Sequence, residues 1–227
     1  MTTYVLVHGG FVDGWYWGAT AARLEAQGHR VLVAELPSTG ADPSALGGLD
    51  DDVAEVRRCV AATGDPVVLV GHSYSGLVIT DAADEPGVTH RVYVSAFWPE
   101  RGRSLMDLAT GPLDWIVPSE DGAAVRVTDD VDRAVEVLCA DLDPARRAEW
   151  FGHLLYSAAS VMGTPATAPG SGHPVTYVVL EEDGALLPEL QESMAARADR
   201  VERMPTSHCP QLVDPDGLAA VLSRAGA

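Results

Sequence analysis

The chain has 227 residues, enough for one domain with a full-sized core, and a hydrophobic content of 47% excludes a disordered polymer. Fifteen basic against 33 acidic residues give a net charge of -18, which argues against nucleic acid and anionic membrane surfaces as partners and weakly favours neutral or apolar ligands. All fifteen cations are arginine, so Schiff-base chemistry, lysine-anchored pyridoxal phosphate and the P-loop lysine are excluded together.

Residues 4–8 form a first apolar strand, too near the start to leave room for a signal peptide. No apolar run reaches membrane-spanning length, and the expectation is a cytoplasmic protein. The strand runs into His8-Gly9-Gly10-Phe11, where glycine lets the backbone turn sharply and present N–H groups to an anion, the Gly10 amide being the strongest candidate. An ordinary glycine-rich turn is the plainer alternative, and a dinucleotide fingerprint is absent.

A helix is expected over residues 15–27 and a second strand over 30–34, followed by a polar loop rich in glycine and proline over 37–48. Asp50, Asp51 and Asp52 open a helix running to about residue 62 with Val53, Val56 and Val60 on one face. Their charges suit the positive end of the helix dipole better than a metal cluster. Val67-Val-Leu-Val70 then reads as a strand buried on both faces, and a helix leaves at once over 77–83.

Between them Gly71-His72-Ser73-Tyr74-Ser75-Gly76 forces a serine onto a tight turn, the pattern of a nucleophile elbow. The usual final glycine is replaced by Ser75 and deferred to Gly76. Such a turn raises the Ser73 hydroxyl above the sheet and aims the Tyr74 amide at any oxyanion formed beside it. Another strand over 91–95 completes a β-α-β-α-β-α-β order, which implies a parallel sheet with ligands beyond its carboxyl ends.

The pattern changes over residues 96–172. Val131, Ala134, Val135 and Leu138 mark one amphipathic helix, and Asp143-Pro144 opens another through Trp150 and toward Met162. No strand is evident there, so the segment reads as a helical cap laid over the site. Its aromatic residues Trp98, Trp115, Trp150 and Phe151 either line a pocket or pack the cap onto the core.

A strand over 175–180 ends in Glu181, Glu182 and Asp183; a helix over 188–197 and a strand over 200–204 lead to Thr206-Ser-His208-Cys209, and Asp214-Pro215 caps the last helix. A hydroxyl nucleophile needs a base within hydrogen-bond reach, and the base needs an acid to orient it. Ser73, an acid near 183 and His208 supply these in the order Ser, acid, His. His72 reads as structural, Ser75 as part of the first helical turn, and His153 and His173 have no partner spacing that suggests a metal. Cys59, Cys139 and Cys209 are too few for a disulfide framework; the first two fall on apolar helical faces.

His8-Gly-Gly-Phe11, Gly71-His-Ser-Tyr-Ser-Gly76, Ser95-Ala-Phe-Trp-Pro-Glu100, Asp183-Gly-Ala-Leu-Leu-Pro188 and Ser207-His-Cys-Pro210 together resemble the α/β-hydrolase superfamily. More narrowly, they resemble its branch of small esterases that includes plant methyl esterases, the salicylate-binding esterase and hydroxynitrile lyases. The resemblance implies an α/β-hydrolase fold over residues 1–227, a mostly parallel sheet with helices on both faces and a helical cap, residues 96–172, inserted after the sixth strand of the family fold. In that branch the acid sits five residues before a proline, which selects Asp183 over Glu181 and Glu182.

The implied activity is hydrolysis of a small, mostly apolar carboxylic ester, with neither metal nor cofactor. Ser73, His208 and Asp183 would be catalytic, the amides of Gly10 and Tyr74 would form the oxyanion hole, and Phe11, Trp98, Trp115 and Trp150 would contact substrate. The branch's lyases carry threonine after the first-strand histidine and lysine after the catalytic one. Gly9 and Cys209 stand there instead, so cyanohydrin cleavage does not fit, and Cys209 reads as a packing residue. A lyase, cyclase or dehydratase using the triad as general base, and a ligand-binding protein with little turnover, stay open. Monomer and homodimer are equally compatible.

Overall fold

Runs such as Val67-Val-Leu-Val70 are apolar without interruption because alternate side chains enter two separate cores. In the computed structural model, which describes residues 1–110, 113–168 and 172–226, Val5, Val7, Val67 and Leu69 face one side of the sheet with Val56 and Leu77. Tyr4, Leu6, Val68 and Val70 face the other with Leu24, Leu218 and Leu222. Positions 111, 112 and 169–171 of the expected cap lie outside the described residues.

In chain order, β1 (Thr3–Val7) leads to a 3₁₀ turn, Gly14–Trp17, and α1 (Gly18–Ala26). The helix expected from residue 15 thus starts as a tighter coil, because the Asp13 carboxylate accepts the Trp15 amide at 3.0 Å. Next come β2 (Arg30–Ala34), the two-residue β3 (Thr39–Gly40), α2 (Leu49–Thr63), β4 (Val67–Ser73), α3 (Ser75–Asp81) and β5 (Val88–Ala96). Then follow α4 (Leu105–Leu108), β6 (Ile116–Pro118), β7 (Ala124–Val127), α5 (Val131–Leu138), α6 (Arg147–Gly152), β8 (Tyr156–Ala158) and α7 (Ser160–Gly163). The chain closes with β9 (Val175–Leu180), α8 (Pro188–Ala195), β10 (Arg200–Met204), α9 (Pro210–Val213) and α10 (Pro215–Ala225).

The main sheet has the order β10-β9-β5-β4-β1-β2 with every pair parallel, as the alternating elements predict. The segment between β5 and β9 differs from the expectation of helices alone. Its helices are short, and β6, β7 and β8 join β3 in an antiparallel sheet ordered β3-β8-β7-β6. The helix opened at Asp143-Pro144 ends at Gly152 rather than continuing toward Met162, because residues 156–158 pair with β3 and β7. Strands of three and four residues are too short to show a period of two, so the sequence carries no signal for them. Among the described residues no helix is long and apolar enough to cross a membrane.

Two histidines are buried where strands of the main sheet end. His8, just after β1, accepts the Leu36 amide on Nε2 at 3.0 Å and holds Nδ1 2.9 Å from the Gly9 carbonyl. His72, in β4, donates from Nε2 to the carbonyl of His208 at 2.8 Å, so it tethers a loop 136 residues away. Burial pushes both imidazoles below the usual histidine pKa, His72 far below, with the nearby His208 adding to the effect there.

Where β4 passes into α3, a Cβ on Gly76 would clash with the Phe97 carbonyl oxygen and lie 2.8 Å from Ala96 Cβ, at and just past the end of β5. Gly76→Ala should therefore destabilise the fold by about 1–3 kcal/mol or more in urea unfolding, with backbone rather than a flexible side chain having to move. The buried histidines set a pH dependence. The unfolded chain takes up their protons near the ordinary histidine value of about 6.5 while the folded chain does not, so stability is full above that pH and falls as pH drops through it. Thermal unfolding should show Tm decreasing from about pH 7 to pH 5, with a shallower slope in His72→Gln.

Candidate active site

Ser73 ends β4 with φ 55, a left-handed conformation that a residue bearing a side chain seldom adopts. Ser75, at the position where a glycine is usual, is fully buried and holds this turn. Its Oγ accepts the His72 amide at 2.8 Å and lies 2.9 Å from the carbonyls of Val7 and His72, joining the elbow to β1. The Phe97 amide donates to the Ser73 carbonyl at 3.0 Å, joining it to the end of β5 as well. The close approach that a glycine usually serves at position 75 falls at Gly76 instead.

His208 lies between β10 and α9, with Nε2 2.9 Å from Ser73 Oγ and Nδ1 2.7 Å from Asp183 Oδ2. The His72 bond to its carbonyl holds the main chain there. Asp183 is buried, while Glu181 and Glu182 beside it are exposed. Its Oδ1 accepts the amides of Ala185 and Leu186, each at 2.8 Å, and Oδ2 also accepts the Ser95 hydroxyl at 2.6 Å. An anion removed from water is tolerable only with such a set of donors.

Gly9 is confined against this serine: a Cβ there would meet Ser73 Cβ at 3.0 Å and His72 Nδ1 at 3.1 Å. Phe11 follows in a left-handed conformation, φ 66, and the far sheet holds it there. Its amide donates to Ser157 Oγ of β8 at 2.8 Å, and its carbonyl accepts the Leu155 amide at 2.8 Å. On the other flank, the Tyr74 hydroxyl donates to Asp52 Oδ2 at 2.6 Å, and the Ser38 amide donates to Asp52 Oδ1 at 2.9 Å. Asp52 is thus a buried tether, unlike the exposed Asp50 and Asp51, and burial raises its pKa.

Gly10, Phe11, Ser73, Tyr74 and His208 border a cleft of about 800 Å³ whose walls include Leu105, Trp115 and Leu186. A second recess, about 380 Å³, shares Gly10, Phe11, Ser73, Trp115 and His208 and is closed by Tyr16 and Trp150. No aspartate, glutamate or arginine lines either space among the described residues. Phe11, Trp115 and Trp150 therefore reach the site. Trp98 does not: its ring stacks 4.8 Å from Tyr93 under the Arg197 guanidinium, 4.3 Å away. That placement corrects its assignment as a substrate contact, the aromatic character having been absorbed by a cation–π stack away from the cleft.

All three cysteines are free and buried, and burial pushes the Cys209 thiol well above its usual pKa, beside Tyr16 and Cys139. It is a packing residue with little thiolate. Ser95, Asp52 and Ser157 have no sequence signal of their own: one sits in an apolar run, one in an acidic triplet, and one in a strand too short to recognise.

A carbendazim hydrolyzing esterase of Nocardioides sp. (strain SG-4G) is 43% identical over 114 residues, covering 48% of this chain and 47% of that protein. Polyneuridine aldehyde esterase of Rauvolfia serpentina is 33% identical over 109 residues, 45% of this chain and 41% of the relative. The alignments thus span about half the length of these relatives or less. The structure of a pyrethroid hydrolase from Sphingobium faniae JZ-2 superimposes with a TM-score of 0.83 at 24% identity, over 98% of this chain and 96% of that one, a likeness of fold. Residues 4–221, from the first strand through most of the last helix, match the alpha/beta hydrolase family, and the chain belongs to it.

Proposed function

We propose that the protein is a serine hydrolase cleaving small, mostly apolar carboxylic esters through an acyl-enzyme on Ser73. The observation that carries this reading is the unbroken contact from Ser73 Oγ to His208 Nε2 at 2.9 Å and from His208 Nδ1 to Asp183 Oδ2 at 2.7 Å, opening on an apolar cleft. The esterase activities in the names of two relatives support the same reaction class.

Ser73 attacks the ester carbonyl as His208 Nε2 takes its proton, and Asp183 holds the Nδ1–H tautomer and stabilises the imidazolium. The amides of Gly10 and Tyr74 donate to the oxyanion, each worth roughly 3–4 kcal/mol in comparable sites. Collapse expels the alcohol with the proton from His208. Water, deprotonated by the same nitrogen, then releases the acid and restores Ser73. Among the described residues the walls carry no aspartate, glutamate or arginine, which suits an uncharged substrate whose desolvation costs little.

Against a panel of small esters, Ser73→Ala and His208→Ala should lower kcat/KM by about 10⁴-fold or more, and Asp183→Asn by less than either. Intact mass after a fluorophosphonate probe should rise in the wild type and not in Ser73→Ala. Turnover with Ser73 never acylated would instead favour general-base chemistry, and tight binding with no hydrolysis across the panel would favour a receptor. Ser157→Ala leaves the Phe11 amide without its acceptor and loosens the loop bearing Gly10. It should reduce kcat by about tenfold, less than loss of an oxyanion donor itself, as read in steady-state kinetics.

A further inference from the structure

Beyond helping to satisfy the buried carboxylate of Asp183, Ser95 reaches the same oxygen that faces His208. Asp183 Oδ2 is shared: it lies 2.7 Å from His208 Nδ1 and 2.6 Å from Ser95 Oγ. An ionised carboxylate can only accept, so the serine donates, and an O–H···O⁻ bond of this length is charge-assisted. Ser95 is fully buried, so bulk solvent does not reach the bond.

The backbone at this position supports a specific requirement. Ser95 has φ 37, in the left-handed region, a conformation that costs of order 1–3 kcal/mol for a residue with a side chain. It persists because its neighbours are fixed: Ala96 pairs with Ser73 across a register shift in the β4–β5 ladder, the Ala96 carbonyl accepts the Tyr177 hydroxyl at 2.8 Å, and the Phe97 amide holds the Ser73 carbonyl. Ser73 ends β4 and Asp183 follows β9, with β5 between those two strands, and Ser95 near the end of β5 is the side chain that reaches the acid.

We propose that Ser95 is a positioning residue that acts through Asp183, holding Oδ2 toward His208 Nδ1 and drawing charge from that oxygen. The inference rests on the reading of Ser73, His208 and Asp183 as an acyl-transfer triad. Without the hydroxyl, Oδ2 carries more charge and stabilises the imidazolium more strongly, while the carboxylate loses one of the four bonds that orient it. His208 then becomes harder to keep neutral and is less well aimed.

The other titratable groups facing the pair are His72, 4.6 Å from the His208 ring, and Tyr16, Tyr177 and Cys209. Burial moves His72 far below its usual range and the other three well above theirs, which takes all four out of the acidic limb of a pH–rate profile.

The test measures kcat/KM against pH for hydrolysis of p-nitrophenyl butyrate by the wild type, Ser95→Ala, Ser95→Gly and Ser73→Ala. Glycine adopts φ 37 freely, so its variant keeps the turn if alanine disturbs it. Both Ser95 variants should lose about tenfold in rate and show the acidic limb moved up by roughly 0.5–1 pH unit. An unmoved limb in both, with or without a loss of rate, overturns the proposal, since a merely structural serine would change stability and leave the titration alone. If Ser73→Ala is inactive while the Ser95 variants match the wild type, this inference alone fails; if Ser73→Ala retains full turnover, the triad reading falls with it.

Discussion

A serine held at φ 55 between a strand and a helix is the constraint on which the rest of the structure depends. Such a conformation costs of order 1–3 kcal/mol and survives only where surrounding bonds over-determine it. Here they come from three directions: Ser75 ties the turn to β1, Phe97 ties it to β5, and the missing side chain at Gly76 lets α3 pass against that strand end. The central position of β4, between β1 and β5, makes this possible, since both neighbouring strands reach the elbow with backbone groups already fixed by their own ladders.

The site's electrostatics are set by what is kept out of it. The chain carries 33 acidic residues, yet the walls of the cleft and its side recess hold none of them among the described residues. Asp183 lies behind His208, and its charge is spread over two amides, a hydroxyl and an imidazole. Exposed carboxylates act through water and salt, which screen them beyond about 10 Å at 0.1 M ionic strength, so the bonds at Asp183 dominate the field felt by the relay.

The small antiparallel sheet is part of the same machinery. Its strand β8 takes the Phe11 amide and the neighbouring Leu155 amide meets the Phe11 carbonyl, so the loop after β1 is held from above while the main sheet holds it from below. Asp52 does the corresponding task for Tyr74. Side chains far apart in the chain thereby anchor Phe11 and Tyr74, which lie on two of the segments bordering the cleft.

Much of this is legible in the amino-acid sequence itself. Uninterrupted apolar runs, glycine and proline stops, and strands alternating with helices determine a parallel α/β sheet, because burial on both faces leaves an unmistakable composition. The elbow residues, the His-Gly-Gly loop and the order Ser, acid, His could also be read, since tight turns and strand ends demand particular residue types. What only the tertiary structure decided is which polar side chains meet. Ser95 bonded to Asp183, Asp52 to Tyr74, Ser157 to Phe11, and Trp98 stacked away from the cleft under Arg197 all join positions from 22 to 146 residues apart. A hydrogen bond depends on position to within a few tenths of an ångström, and sequence spacing across loops and crossovers carries no such information.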